Sequence, residues 1–263
     1  MTSERKYGVC AVSCLPLRAF PDEKSEMVSM FLFGELYHVL GTEQGWYQVS
    51  AEYDDYIGWI SGSAVHLITG KEYRYLAEGS KTLTRPAFLV PEGYSDHPFM
   101  ILPGSSLPAF RDNSFVLGGK TFQSAGPLDT NDGTLNPLAQ VPLTAMLYLN
   151  APYLWGGRSL FGVDCSGFVQ VVFKTAGIRL PRDAGQQAQV GKTISLREAR
   201  TGDIAFFGPA PGKITHTGIF LDNHRFIHAS GKVRIDTIDE RGIFSAERKQ
   251  ITHALQLVKR VIL

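Results

Sequence analysis

One stretch constrains this chain more than any other: Tyr153-Leu154-Trp155-Gly156-Gly157-Arg158-Ser159-Leu160-Phe161-Gly162-Val163-Asp164-Cys165-Ser166-Gly167-Phe168-Val169. A glycine-rich loop runs into Asp164-Cys165-Ser166, and behind it Phe168, Val169, Val172 and Phe173 recur at helical spacing. The pattern predicts a helix that starts at or near Cys165. Free N–H groups and the positive dipole end at such a start favour a thiolate, so Cys165 is expected to be reactive, with its pKa below that of a free thiol. A lone cysteine also reads as a small buried hydrophobe, and the residues downstream weigh against that.

A thiolate nucleophile needs a base, and the base needs a group that orients it. Ile214-Thr215-His216-Thr217-Gly218-Ile219-Phe220-Leu221 and Arg225-Phe226-Ile227-His228-Ala229 flank the polar turn Asp222-Asn223-His224, the pattern of a β-hairpin. With a loop at 221–223, His216 and His228 are expected directly opposite each other on one face, their Cα atoms ~4.5–5.5 Å apart.

These residues resemble the NlpC-type cysteine peptidases, papain-like enzymes that cut peptidoglycan stem peptides. The resemblance rests on Tyr153-x-Trp155-Gly-Gly, Asp164-Cys165-Ser166-Gly-Phe-Val, Leu180-Pro181-Arg182-Asp183, Gly202-Asp203-Ile204-Ala205-Phe206-Phe207 and the two histidines, and covers about the last half of the chain. It implies Cys165 as nucleophile, His216 as general base and acid, His228 as the orienting third residue, and Tyr153 as a holder of the oxyanion. It also implies that Asp164 helps fix a substrate amine, that Ser166 contacts the same peptide and that Trp155 forms a pocket wall. Asp164 and Ser166 equally suit a helix cap and first turn, and Trp155 equally suits a core. One departure is Ala184, where relatives often carry serine.

Helical spacing at Leu138, Val141, Leu143, Ala145, Met146 and Leu149 predicts a helix ahead of the catalytic loop. Strands run from Asp203 to the C-terminus. The expected fold class is an α+β papain-like catalytic domain at 133–263, with its cleft between a helical half and an antiparallel sheet.

Upstream, short strands between Gly8 and Gly70 are punctuated by Gly34, Gly41 and Gly45. Gly45-Trp46-Tyr47-Gln48-Val49 and Tyr56-Ile57-Gly58-Trp59-Ile60 resemble the bacterial SH3-like barrels that accompany wall-acting enzymes. Residues 1–70 are read as one such barrel and 71–132 as a second, degenerate one. In 71–132 the pieces 87–90, 99–102, 107–111 and 114–117 look strand-like, and Gly118-Gly119-Lys120-Thr121 signals a hairpin.

This domain order resembles the γ-D-glutamyl-L-diamino-acid endopeptidases, which require a free N-terminal L-Ala. By that likeness Tyr56 and Glu26 would contact the L-Ala end; each also has a plain reading, as a barrel aromatic and a solvated charge. The implied partner is a murein tripeptide or tetrapeptide, in cell-wall peptide recycling. An amidase or endopeptidase acting on intact peptidoglycan, or a non-catalytic wall-peptide-binding protein, stands as the alternative.

The balance of 26 basic against 25 acidic residues gives a net charge of +1 and points to neither nucleic acid nor electrostatic membrane attachment. A monomer is expected. Cys165, His216 and His228 are zinc-ligand types, but no second cysteine or carboxylate stands at ligand spacing, so neither metal nor other cofactor is expected. Cys10 and Cys14, read as lying on one strand, would be too far apart to pair, and reduced thiols suit a cytoplasm. Residues 1–12 hold Arg5 and Lys6 without an apolar run of signal-peptide length. A cytoplasmic location is the expectation, periplasmic or secreted being the alternative had a leader been removed. His38, His66, His97, His224 and His253 show no partner pattern and are read as surface or packing residues.

Overall fold

The structure, a computed structural model, describes residues 6–93, 97–223, 225–245 and 247–262. The turn residue His224 lies outside them. The chain divides into two compact units, 1–134 and 135–263.

In the first unit, β1 (Lys6–Val9), β2 (Cys14–Arg18), β3 (Met27–Leu32), β4 (Leu36–Glu43), β5 (Trp46–Ala51), β6 (Ile57–Ser61) and β7 (Leu67–Ile68) form one seven-stranded sheet in the order β3-β2-β6-β5-β4-β1-β7. The run 9–17 is thus two strands with a turn between them. Cys10, Cys14 and Cys165 are all free thiols. A core of Cys10, Leu15, Leu17, Phe31, Tyr37, Val49 and Ile60 fills this sheet.

A helix that strand patterning leaves out follows: α1 (Gly70–Gly79). Only Leu76 of it is fully buried, with Tyr73 three residues earlier packed on the same core, so its apolar stripe is short. Its signal is Thr69-Gly70-Lys71-Glu72, a threonine three residues before a glutamate, with the Thr69 hydroxyl accepting from the Glu72 N–H at 3.2 Å.

Beyond it, β9 (Ala87–Pro91), β10 (Phe99–Ile101), β12 (Ser114–Leu117) and β13 (Lys120–Ser124) make a four-stranded sheet, and β8 (Lys81–Leu83), β11 (Ser106–Leu107) and β14 (Thr130–Asn131) a three-stranded one. The β12–β13 hairpin turns on Gly118 and Gly119, both at positive φ (60° and 71°), which a two-residue loop of this hand requires.

Residues 1–70 and 71–132 share a core: Val9, Phe33 and Leu36 pack with Leu76, Leu83, Leu89, Ile101, Leu107, Phe115, Leu117 and Phe122. The Phe33 carbonyl accepts from Ser106 N–H at 2.8 Å, and the Glu72 carboxylate from Gly118 N–H at 2.7 Å.

In the second unit, α2 (Pro137–Leu147) has Asn136 as its cap and proline at its first position, where the missing N–H costs nothing. The two-stranded β15 (Arg158–Ser159) and β16 (Gly162–Val163) lead into α3 (Cys165–Thr175). Every residue of α3 is buried, and it packs against α2 and the central strand β19. A single turn, α4 (Ala184–Gln187), follows.

The sheet then runs β17 (Lys192–Ile194), β18 (Ile204–Phe207), β19 (His216–Phe220), β20 (Arg225–Ser230), β21 (Lys232–Asp239), β22 (Gly242–Ser245) and β23 (Gln250–Arg260), in the order β17-β23-β18-β19-β20-β21-β22. β23 pairs with β22 at one end and with β18 and β17 at the other, so it joins both sides of the sheet. Buried helices against an antiparallel sheet are the α+β layering expected. Among the described residues no helix is long and apolar enough to cross a membrane.

Phe33→Ala should cost about 3–5 kcal/mol, because it empties a closed aromatic cluster. Urea melts read by tryptophan emission and by amide exchange in β12–β13 should shift together. Unchanged β12–β13 exchange would contradict a shared core.

Candidate active site

Asp164 sets the start of α3. Its backbone is extended while its carboxylate accepts from the Gly167 N–H at 2.7 Å and the Gly156 N–H at 2.8 Å, capping the helix and closing the glycine-rich loop at once. Gly167 has to be glycine: a Cβ there would stand 2.3 Å from the Gly157 carbonyl oxygen. The loop is also tied to the sheet, since Tyr153 N–H donates to the Gly231 carbonyl at 3.0 Å and Val233 N–H to that of Ala151 at 2.8 Å.

Arg182 completes this corner. It is 1% exposed and grips Asp164 with both terminal nitrogens, at 3.1 and 2.5 Å, while also donating to the Ser166 hydroxyl at 2.9 Å. Five donors therefore converge on the Asp164 carboxylate, the fifth being Ser166 Oγ at 3.3 Å. That fills its acceptor capacity. Asp164 and Ser166, expected to meet substrate, are held within the fold as part of a buried clamp.

Cys165 is the first residue of α3 and 7% exposed. Burial pushes its thiol up to about 11, with the Asp164 charge adding to the rise. The backbone N–H groups of Thr217 and Ser166 and the Arg182 charge oppose it without prevailing. This corrects the expectation of a depressed thiol pKa: desolvation outweighs the helix terminus.

His216 and His228 are both buried, and Nε2 of the first lies 2.8 Å from Nδ1 of the second. They are not directly opposite. The hairpin register pairs Gly218 with His228, two residues along from the expected match. A shift by two preserves the face, so the histidines meet as diagonal neighbours. Gly218 makes the room, because a Cβ there would lie 2.7 Å from His228 Cβ. Burial lowers the His216 pKa well below the ordinary histidine range, with His228 and His253 adding to the fall.

Two residues that sequence patterning missed complete the set. Asp236 Oδ2 lies 3.1 Å from His228 Nε2. His253, read as a surface or packing residue, stacks on the His216 ring with centroids 4.1 Å apart and planes 26° apart. Burial, then the charges of His228 and Arg248, push His253 down to about 4. His38 and His66 do serve packing, bonded to Glu52 and to the Gly118 carbonyl.

Tyr153 is half-buried, and burial, then the charges of Cys165 and Asp164, push its phenol up to about 12, leaving it a proton-bearing donor. Trp155 is 59% exposed, on the open side of the loop. In the other unit, Tyr56 packs against the barrel core and Glu26 is exposed just before β3. Among the described residues no three His, Cys, Asp or Glu side chains converge as a metal site would need.

A cysteine opens a buried helix, an imidazole pair stands on the strands packed against that helix, and a phenol lies at the loop, the layout the papain-like resemblance implies. Residues 150–251 match the NlpC/P60 family, and residues 17–65 match the bacterial dipeptidyl-peptidase Sh3 domain. The chain thus carries an NlpC/P60 cysteine peptidase domain behind a bacterial SH3 domain.

It is 40% identical over 121 residues to the gamma-D-glutamyl-L-lysine dipeptidyl-peptidase of Bacillus subtilis (strain 168), covering 44% of this chain and 40% of that protein. It is 43% identical over 79 residues to the murein DD-endopeptidase MepS/murein LD-carboxypeptidase of Escherichia coli (strain K12), covering 30% of this chain and 42% of that one. The chain thus spans less than half the length of these relatives. The crystal structure of an NlpC/P60 family protein from Bacillus cereus ATCC 10987 superposes with a TM-score of 0.82 at 20% identity, over 97% of this chain and 99% of that one, a likeness of fold.

The upward shift of Cys165 and the downward shift of His216 both favour thiol and neutral imidazole over an ion pair. The ultraviolet thiolate signal lost in Cys165→Ser should titrate with a midpoint near about 11 and be absent at pH 7. A thiolate present at pH 7 would contradict the dominance of burial.

Proposed function

We propose that the protein is a cysteine endopeptidase that hydrolyses the γ-D-glutamyl-L-diamino-acid bond of murein peptides with a free N-terminal L-Ala, in cell-wall peptide recycling. The observation that carries the chemistry is Cys165 at the start of α3 with the His216–His228 pair on the strands packed against that helix. The choice of bond is supported by the relative named for γ-D-glutamyl-L-lysine. A dipeptidyl-peptidase counts two residues from a free terminus, which suits the free L-Ala. That requirement otherwise rests on the family likeness of Tyr56 and Glu26, the Asp164 carboxylate being taken up by Arg182 and the loop.

The reaction is acyl transfer. His216 takes the thiol proton as Cys165 sulfur attacks the γ-glutamyl carbonyl, so no standing ion pair is needed. The Cys165 backbone N–H, one of the first N–H groups of α3 and without a helical partner, and the Tyr153 phenol donate to the developing oxyanion. His216 returns its proton to the leaving amine of the diamino acid. Water, deprotonated by His216, then hydrolyses the thioester and restores the thiol. Asp164, Arg182 and Ser166 keep α3 and the loop in register during these steps.

The likeness to a murein DD-endopeptidase gives a second reading, an enzyme acting on intact wall. The two part on the amine. Loss of one charge-assisted hydrogen bond costs about 1.5–3 kcal/mol, or roughly 10-fold to over 100-fold in specificity. The kcat/KM for L-Ala-γ-D-Glu-L-Lys, or its meso-diaminopimelate counterpart, should exceed that for the N-acetylated peptide by that factor, with mass spectrometry showing release of the diamino acid. Cys165→Ser should abolish both. Comparable values for free and acetylated peptides would overturn the free-amine reading and favour the intact-wall enzyme.

A further inference from the structure

We propose that Asp236 decides which nitrogen of His216 receives the Cys165 proton, acting through His228 as a positioning residue. The proposal rests on Cys165 and His216 being nucleophile and base. Asp236 stands on β21, 8% exposed, where the β20–β21 register pairs it with Phe226 and His228 with Arg234. It is therefore the diagonal neighbour of His228, as His228 is of His216. Two diagonal steps across three adjacent strands carry a line of polar side chains from the site into the sheet.

The direction of every hydrogen bond along this line follows from its far end. An ionised carboxylate only accepts, so His228 Nε2, 3.1 Å from Asp236 Oδ2, carries a hydrogen. In the one-N–H form of the His228 ring that this line assigns, Nδ1 is bare and accepts. The atom facing it at 2.8 Å is His216 Nε2, which must then be the donor. The same count leaves His216 Nδ1 bare, and it alone of that ring's nitrogens is open to the thiol proton. When it takes that proton, no hydrogen bond in the line has to reverse.

The anchor of the line is held ionised. Burial raises the Asp236 pKa, but the hydrogen bond from His228, the charge His228 carries when protonated, and the charge and hydrogen bond of Arg234 bring it below the ordinary carboxylate range. Arg234 places Nε 2.9 Å from Asp236 Oδ2, donates from Nη2 to Oδ1 at 3.3 Å, and is itself held by Glu247 at 2.9 Å. The other groups around His216 are His253, stacked from β23, and Phe207 of β18, centroid 5.9 Å away. Neither supplies a charge, His253 being neutral at physiological pH. Without a carboxylate at 236, His228 is free to turn its N–H toward His216. That would leave His216 with its hydrogen on Nδ1, unable to accept one from sulfur.

The test is ring-nitrogen NMR of the full chain labelled with 15N-histidine, the seven histidines being assigned by single His→Gln variants. At neutral pH, His216 and His228 should both show the Nε2–H form. In Asp236→Asn the amide offers an N–H to His228 while its carbonyl keeps Arg234, so His216 should move toward the Nδ1–H form. Its kcat should fall about 100-fold with KM within about twofold.

Wild-type His216 in the Nδ1–H form would overturn the proposal, and so would an Asp236→Asn protein that loses kcat with an unchanged tautomer. Should that variant not fold, the wild-type tautomer decides alone. The NMR arm needs no substrate, so a wild-type protein that cleaves no murein peptide would sink the peptidase reading while the tautomer question is still decided.

Discussion

The hydrogen bond between His216 and His228 is the interaction on which the rest of the catalytic unit depends. It exists because β19 and β20 pair with Gly218 opposite His228, and because Gly218 has no Cβ to fill the space between them. A slip of one residue would send one imidazole to the other face of the sheet. The register is held by Ile219, Phe220, Phe226 and Ile227, all buried, on the two strands. Hydrophobic burial thereby fixes the position of a polar pair.

Cys165 is fixed by a different force. The cap, the loop closure and the ion pair with Arg182 all use the one Asp164 carboxylate. A buried charge pair of this kind adds little net stability, yet removing one partner is costly because the other is left without compensation. The clamp therefore does more to define where Cys165 sits than to hold the unit folded. Its cost is chemical as well: the burial that orders Cys165 also keeps its proton on. In the proposed reaction, attack on a carbonyl is then concerted with proton transfer to His216, which is why the tautomer of that ring matters.

The helix that opens at Cys165 and the pairing of two strands around a polar turn were legible in the sequence, because each is a local pattern of spacing and turn residues. The barrel strands were legible for the same reason, apart from the break at 10–13. The diagonal offset of the histidines was not, because it depends on where a turn of several residues closes. Asp236 was out of reach since it takes a third strand to bring it beside His228, and His253 since β23 arrives from the far end of the sheet. Arg182 stood in a quoted motif with no role, its partner lying 18 residues upstream. The direction of the Cys165 pKa could not be read from a helix start, since burial is a property of the packed unit.

The claim that ties fold to chemistry is that Cys165 forms a covalent acyl intermediate with the γ-glutamyl carbonyl. Rapid acid quench of the protein with excess L-Ala-γ-D-Glu-L-Lys, followed by peptide-level mass spectrometry, tests it directly. The account predicts an L-Ala-γ-D-Glu thioester on the peptide containing Cys165, present in the wild type and missing in Cys165→Ser. Turnover with no adduct in the Cys165→Ser protein, or an adduct on Cys10 or Cys14 instead, would contradict it.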